Sequence, residues 1–570
     1  MRESLTIVIG GEAGQGLATV GELLAQMLAG AGYHFVTFQG YHSRIRGGHN
    51  TFALKICPSD VSGPEDKADL VLSLNAETDT SDGPRLRPEG LLLAFGQGAK
   101  APSGASAITV PFGDLSAPRE LNIAALGILT GALSLPLAEA SKVVDELFKN
   151  KGGSEKPLAA LKAGYYWAES NKLGGRFQVS PALGGHSPRL IINGNEALAL
   201  GVAAGGANFC SFYPMSPATS VALSLADWAA KAGLVVEQAE DEIAAANMAL
   251  GASYAGASVV VPTSGGGFAL MCEAVSLAGM TELPIVFVVV QRPGPATGLP
   301  TRTEQADLNL TLYSGHGEFP RAILAPSLAR ECFDLAAKAV QLAEESQGPV
   351  FILSDQYLAD CTRPADPFDF NSLPAPVNTA EIHKRNAADL KAGQVYLRYR
   401  SDVPDGLSPR LLPGFSDHLV KIDSDEHTPD GHITEDLDWR QKLQDKRLKK
   451  MDMLKAKVLP PVWHGPENAD TILVTWGSSL GAGLDAVTDL GRNKKSVALL
   501  HFNQLYPLNP SGWLPKLEKA KQVIFAEGNA EGQFAQLVRR ETGFKPQQRI
   551  NRYDGLPLTG SYIVERLEVK

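Results

Sequence analysis

The stretch from Val236 to Leu270 reads as a helix, a strand, a tight glycine turn and a second helix, and that order admits few folds. Glu240-Asp241-Glu242 heads an alanine-rich helical run, Ile243 to Leu250, in which Ile243, Asn247 and Leu250 recur at helical spacing. Alanine at most other positions lets a neighbouring element approach closely. Ser258 to Pro262 is β-rich and leads into Thr263-Ser264-Gly265-Gly266-Gly267-Phe268, with a second helix expected from Ala269. Carboxylates at the head of a tightly packed helix need a reason. They favour the helix macrodipole wherever they stand near an N-terminus, and glycines make turns without any ligand. For this stretch alone those structural readings stand beside a functional one.

Composition narrows the class. A chain of 570 residues suggests about three or four domains. Charged residues at 20% and hydrophobic residues at 44% describe an ordinary globular protein. A net charge of −10 with no large basic block argues against nucleic acid. Cys57, Cys210, Cys272, Cys332 and Cys361 are scattered with no C-x-x-C pair, so zinc or an iron–sulfur cluster held by this chain alone is not expected. Sparse, odd-numbered cysteine fits a reducing compartment. Leu5 to Ile9 is too short for a signal segment, and no apolar run is long enough to cross a membrane. The expectation is a cytoplasmic protein with neither nucleic acid nor membrane as partner.

Read in order, the chain repeats one theme. Leu5 to Ile9 is a strand, Gly10-Gly11-Glu12-Ala13-Gly14-Gln15-Gly16 a glycine loop, and Leu17 to Ala29 a helix. Free N–H groups at such a helix start suit an anion. The spacing is not that of a dinucleotide loop, which disfavours a nicotinamide dehydrogenase. His42, Ser43, Arg44 and Arg46 crowd the next glycine-flanked loop, either as a solvated basic loop or as one that folds over an anionic ligand. A second α/β unit carries Tyr213-Pro214-Met215-Ser216-Pro217-Ala218-Thr219, where prolines on both sides stiffen the backbone that presents Ser216 and Thr219. Leu283 to Val290 is a continuous apolar run typical of a central parallel strand, and it ends at Gln291-Arg292. A loop containing Arg302 follows. Ser216, Ser264 and Arg292 thus all fall at strand ends, where open parallel sheets collect ligands. His427 and His432 stand among carboxylates in Asp425 to His432, either as metal ligands or as ordinary loop residues. Arg440 to Val458 reads as a basic helix with a solvated face.

At this point the motifs resemble one family. Tyr213-Pro214-x-Ser216-Pro217, Glu240-x-Glu242, Thr263 to Phe268 and Gln291-Arg292-x-Gly294-Pro295 look like the α subunit of the 2-oxoacid:ferredoxin oxidoreductases. Gly10-Gly11-x-x-Gly14-Gln15-Gly16 and Arg46-Gly47-Gly48-His49 resemble the γ subunit, here fused in front, and the fusion leans toward the 2-oxoglutarate branch. Asp425-Glu426-His427 and Glu527-Gly528-Asn529 with Gly532-Gln533 resemble later parts of the α subunit. The resemblance implies three open α/β domains: a γ-type domain over 1–180, a thiamine-diphosphate domain of pyrimidine-binding type over 187–405, and a transketolase C-terminal-like domain over 466–570. A linker with a basic helix would fill 406–465.

The resemblance also implies roles. Glu242 would hydrogen-bond the aminopyrimidine of thiamine diphosphate and so activate it, with Tyr213, Pro214, Ser264, Gly265, Gly266 and Phe268 around the cofactor. Arg292 would take the substrate carboxylate beside the keto group. Ser216 stands where the family commonly has threonine, and Thr219, Arg302, His42, Arg44 and Arg46 are further candidates for substrate contact. A β subunit would bring the diphosphate site, magnesium and a [4Fe–4S] cluster, in a dimer of αβ heterodimers that passes electrons to ferredoxin. The implied reaction is CoA-dependent oxidative decarboxylation of 2-oxoglutarate, with reverse carboxylation open to a low-potential donor. A pyruvate or branched-chain 2-oxoacid enzyme, and a non-catalytic CoA-binding or assembly subunit, are the alternatives.

Overall fold

Every strand of the first sheet lies within Leu5 to Thr109, in the order His34–Gly40, His49–Cys57, Leu5–Glu12, Ala68–Ser73, Leu86–Ala94, Ser106–Thr109. The computed structural model describes residues 4–41, 48–57, 62–149, 153–179, 190–373, 375–391, 393–493 and 495–568. The first two strands of the sheet are antiparallel to their neighbours and the rest parallel. Leu5, Ile7 and Ile9 are fully buried under flanking helices, as an alternating apolar strand requires. Helices Leu121–Ala132 and Glu155–Ser170 touch backbone to backbone, because a Cβ on Gly127 would stand 2.0 Å from the Leu161 carbonyl oxygen.

The second sheet has seven strands in the order Gln504–Tyr506, Ala322–Leu324, Pro349–Asp355, Ile285–Gln291, Val259–Thr263, Phe209–Phe212, Val235–Gln238. All run parallel except Gln504–Tyr506, which is lent by the C-terminal part of the chain. Ile285–Gln291 is buried at every residue and paired on both sides, which explains its unbroken apolar run. The third sheet orders Val462–His464, Val497–Phe502, Thr471–Trp476, Gln522–Glu527, Gln548–Asn551, with only the first strand antiparallel. A two-stranded ladder joins Leu190–Ile192 to Arg363–Ala365. The architecture is thus α/β with three open, largely parallel sheets, as expected. Among the described residues no helix is long and apolar enough to cross a membrane.

Three local expectations are corrected. The helix after Ser264 starts at Gly265 and not at Ala269, so the three glycines are helical. Glycine is a poor helix former, and here close packing of neighbours outweighs propensity. Helix Glu242–Ala255 does not bury the stripe of Ile243, Asn247 and Leu250: Ile243 and Asn247 are exposed, and the buried face is Glu242, Ala245, Ala246, Ala249, Leu250 and Ser253. The basic helix, Leu437–Ala456, is not simply solvated, since Leu443, Lys446, Arg447, Lys450 and Leu454 are buried. Lys446 Nζ donates to both oxygens of the fully buried Glu282 at 2.7 Å, and Lys450 pairs with the same carboxylate. Long lysine stems cover apolar surface while their heads reach this one acid.

Candidate functional site

Strands Phe209–Phe212, Val259–Thr263 and Ile285–Gln291 are neighbours in the second sheet, and their C-terminal ends release Tyr213 to Ser216, Ser264 and Arg292 side by side. Arg292 Nη1 donates to the Ser216 carbonyl oxygen at 2.6 Å, which ties two of these ends together. The backbone N–H of Gly267 points at Met215 Sδ, 3.2 Å away. Tyr213, Pro214 and Ser216 are exposed, and Thr219 opens helix Thr219–Ala232 half-buried.

Helix Glu242–Ala255 brings its first residue to this cleft. Asp241 caps it, accepting from the Ala244 N–H at 2.7 Å. Of the three clustered acids, Glu240 and Asp241 are exposed while Glu242 is only 5% exposed. Its carboxylate takes no hydrogen bond or ion pair from the described residues. A Cβ on Gly267 would stand 2.8 Å from Glu242 Cγ, so only glycine leaves this carboxylate room. Ser264 Oγ is buried with no partner among the described residues. A nearly buried, unpaired carboxylate is costly, and a ligand bringing a hydrogen-bond donor would offset that cost.

Sequence reasoning missed Asp307. Its N–H donates to Gln291 Oε1 at 3.0 Å, and its Oδ2, buried without a partner among the described residues, lies 2.3 Å from where a Cβ on Gly265 would be. Burial pushes its carboxyl up to about 6, opposed by the charge of Arg292. Burial, then the neighbouring Asp307, pushes Glu304 up to about 7. Burial lowers Arg292 from its ordinary value, with Asp307 acting against the shift. The only sequence signal was that both acids follow the Arg292 loop.

The remaining candidates divide. Gly265 and Gly266 lie at the strand end, but the Phe268 side chain is fully buried against Phe287 and Phe351, ring centroids 5.7 and 5.6 Å away, and its N–H is taken by the Ser264 carbonyl. Phe268 therefore packs the core and its ring does not face the cleft. Arg302 lines a separate cavity that Ser216, Glu242 and Arg292 do not reach. His42, Arg44 and Arg46 lie outside the described residues. The glycine loop borders a cleft of about 950 Å³ with Arg119 and Asn122, beneath the start of helix Leu17–Gly30. Among the described residues no group of three His, Cys, Asp or Glu is placed to hold a metal ion. His427 packs on Tyr399 at 3.8 Å and its Nδ1 lies 3.0 Å from the Asp425 carbonyl, while His432 meets Asp430.

An acid-headed helix, a glycine-rich strand end and an arginine at the next strand end define an α/β protein whose cleft suits an organic anion beside a buried carboxylate. Residues 200–440 match the family described as pyruvate flavodoxin/ferredoxin oxidoreductase, thiamine-diphosphate-binding, and residues 6–167 match pyruvate ferredoxin/flavodoxin oxidoreductase. The chain is 29% identical to the 2-oxoacid:ferredoxin oxidoreductase subunit alpha of a Sulfolobus species, over 99% of this chain and 96% of that one. It is 31% identical to the 2-oxoglutarate synthase subunit KorA of Archaeoglobus fulgidus, over 61% of this chain and 90% of that one. The 2-oxoglutarate:ferredoxin oxidoreductase of Magnetococcus marinus, solved with 2-oxoglutarate, coenzyme A and succinyl-CoA bound, superimposes with a TM-score of 0.92 over 100% of both chains at 29% identity. The chain belongs to the 2-oxoacid:ferredoxin oxidoreductase family.

Proposed function

We propose that this chain is the α subunit, with the γ part fused in front, of a CoA-dependent 2-oxoglutarate:ferredoxin oxidoreductase. The reaction joins 2-oxoglutarate and coenzyme A to give succinyl-CoA and carbon dioxide, with two electrons passed to ferredoxin. The observation that carries this reading is Glu242, a nearly buried carboxylate with no partner among the described residues at the head of a glycine-lined cleft. When bound, thiamine diphosphate supplies a nucleophilic carbon and an electron sink for decarboxylating a 2-oxoacid. Glu242 holds or returns a proton at its carboxylate. Ser264 Oγ and the Gly265–Gly266 backbone would line the cofactor. Arg292 grips the carboxylate beside the keto group with its planar fork, and Ser216 and Thr219 add hydroxyls. The N–H groups of the glycine loop suit the diphosphate of coenzyme A.

The scattered cysteines support a β-type subunit as holder of the [4Fe–4S] cluster. We assign the diphosphate and magnesium sites to the same subunit, in a dimer of αβ heterodimers. Helices Glu242–Ala255 and Gly265–Leu270 expose Ile243, Met248 and Leu270 beside the cleft, an apolar surface suited to that partner. The test is anaerobic purification of the chain with and without the β-type subunit, followed by thiamine diphosphate titration, iron analysis and a 2-oxoacid panel with CoA and a one-electron acceptor. Tight cofactor binding and iron only in the pair, with 2-oxoglutarate preferred, are expected. Turnover by this chain alone would overturn the division of labour.

A further inference from the structure

We propose that the cavity where the three sheets meet binds a phosphate group through Arg302 and Arg85. The cavity, about 410 Å³, is lined from the first sheet by Gly40, His49 and Thr51, from the loop after Arg292 by Arg302, and from the C-terminal part by Arg552. Every carboxylate on its wall is already occupied. Asp82 takes His49 Nε2 at 2.7 Å and Arg85 Nη1 at 3.1 Å. Asp66 takes Arg552 through two nitrogens at 2.9 and 3.0 Å, and Glu65 takes Arg87 at 2.9 Å.

Of the cations on this wall, the exposed Lys67 and the half-buried Arg302 have no side-chain partner among the described residues, and only Arg302 is withdrawn from solvent. Its guanidinium has no hydrogen bond and no ion pair among the described residues. Gly40 makes space for it: a Cβ there would stand 2.9 Å from Arg302 Nη1. Burial lowers its guanidinium from the ordinary value, and the like charge of Arg85 lowers it further. A desolvated cation beside a second cation is unfavourable unless an anion joins them. A guanidinium offers phosphate two parallel donors, and Arg85 on the same cavity wall adds a second positive charge. His49 Nδ1, buried and without a partner among the described residues, adds a polar atom to the same wall. Neither the Glu242 cleft nor the glycine loop lines this cavity, so the site is a separate one.

Two sources carry this chemistry: free inorganic phosphate, and the 3′-phosphate of coenzyme A. Calorimetric titration of the purified full-length chain with inorganic phosphate in phosphate-free buffer tests the site without coenzyme or turnover, so it stands or falls apart from the role given to Glu242. Saturable binding is expected, weakened about 10- to 100-fold in Arg302→Ala and less in Arg302→Lys. Arg302→Ala removes an unpaired cation, so its melting temperature without phosphate should not fall below wild type, and phosphate should raise the melting temperature of the wild type only. Competition by coenzyme A but not by 3′-dephospho-coenzyme A assigns the site to the co-substrate, and competition by neither assigns it to free phosphate. Absence of saturable phosphate binding, or equal binding by wild type and Arg302→Ala, overturns the proposal.

Discussion

Gly267 stands directly against Glu242: a Cβ at 267 would lie 2.8 Å from Glu242 Cγ, 3.0 Å from its Oε1 and 2.4 Å from Thr263 Oγ1. The glycine is needed for space, since its helical backbone is open to any residue. Gly267→Ala must push either the carboxylate or Thr263 aside. Overpacking of this kind costs about 1–3 kcal/mol. Stability in urea and kcat should both fall. At Gly266 a Cβ would meet only the Ala296 carbonyl at 3.6 Å, so Gly266→Ala should leave stability nearly unchanged. Full activity in Gly267→Ala would mean that the position of Glu242 does not matter.

The two acids two residues apart separate cleanly. Glu242 is buried at the cleft and Glu240 is exposed. Glu242→Gln keeps the shape and removes the proton-holding oxygen, a loss worth roughly 10²–10⁴ in rate where one proton transfer is removed. Glu240→Gln should change kcat by little. Hydrogen–deuterium exchange at C2 of thiamine diphosphate, measured in the assembled enzyme, reads this apart from later steps. The reverse ranking would place the active carboxylate on Glu240.

Asp307 gives the cleft a pH dependence with a definite sign. Burial raises its pKa to about 6 from an ordinary 3.8, so the fold favours the neutral acid. That contribution to stability is complete below about pH 4 and is lost as pH rises through 6. Asp307→Asn should match wild type near pH 4 and exceed it in urea unfolding at pH 8. Ionised Asp307 also adds negative charge beside Arg292, so the KM for 2-oxoglutarate should rise between pH 5 and 7. The rise should flatten in Asp307→Asn, leaving a step from Glu304 that moves downward once the Asp307 charge is gone. An Asn variant less stable than wild type at pH 8 would contradict the assignment.

What was legible in the sequence was what short-range pattern encodes. Continuous apolar runs marked the central strands, and their polar successors Ser216, Ser264 and Arg292 came out adjacent because neighbouring parallel strands end together. Asp307 was not legible, since its meaning comes from Gly265 and Gln291, which no local period links to it. The basic helix was misread for the same reason. Lys446, Arg447 and Lys450 share its buried face with Leu443 and Leu454, but Glu282, the acid that Lys446 and Lys450 meet, lies 164 residues away from Lys446, and Arg447 pairs with Glu426. Removing that acid tests the point. Glu282→Ala leaves Lys446, Lys450 and Arg398 around an empty position, and breaking a buried pair costs about 3–5 kcal/mol. Urea unfolding should show that loss, and Glu282→Ala with Lys446→Met should lose less than the two single changes added.

Substrate choice rests on a second carboxylate. 2-Oxoglutarate has two, and burying both needs two cationic or strong donor partners. In the proposed reading, Arg292 serves the one beside the keto group. His42, Arg44 and Arg46 fall outside the described residues, but the chain on their N-terminal side is held against the loop that follows Arg292. The Tyr41 carbonyl accepts from Thr301 Oγ1, and Gly40 packs on Arg302. The sequence expectation to be tested is that the His42–Arg46 segment serves the distal carboxylate. Arg44→Ala and Arg46→Ala should each lose about 1.5–3 kcal/mol in kcat/KM where a charge-assisted bond is removed. The loss should appear with 2-oxoglutarate and not with 2-oxobutyrate, which lacks the distal group. Equal losses on both substrates with a raised KM for coenzyme A would move the segment to the coenzyme. Unchanged kinetics on both substrates would remove it from the site.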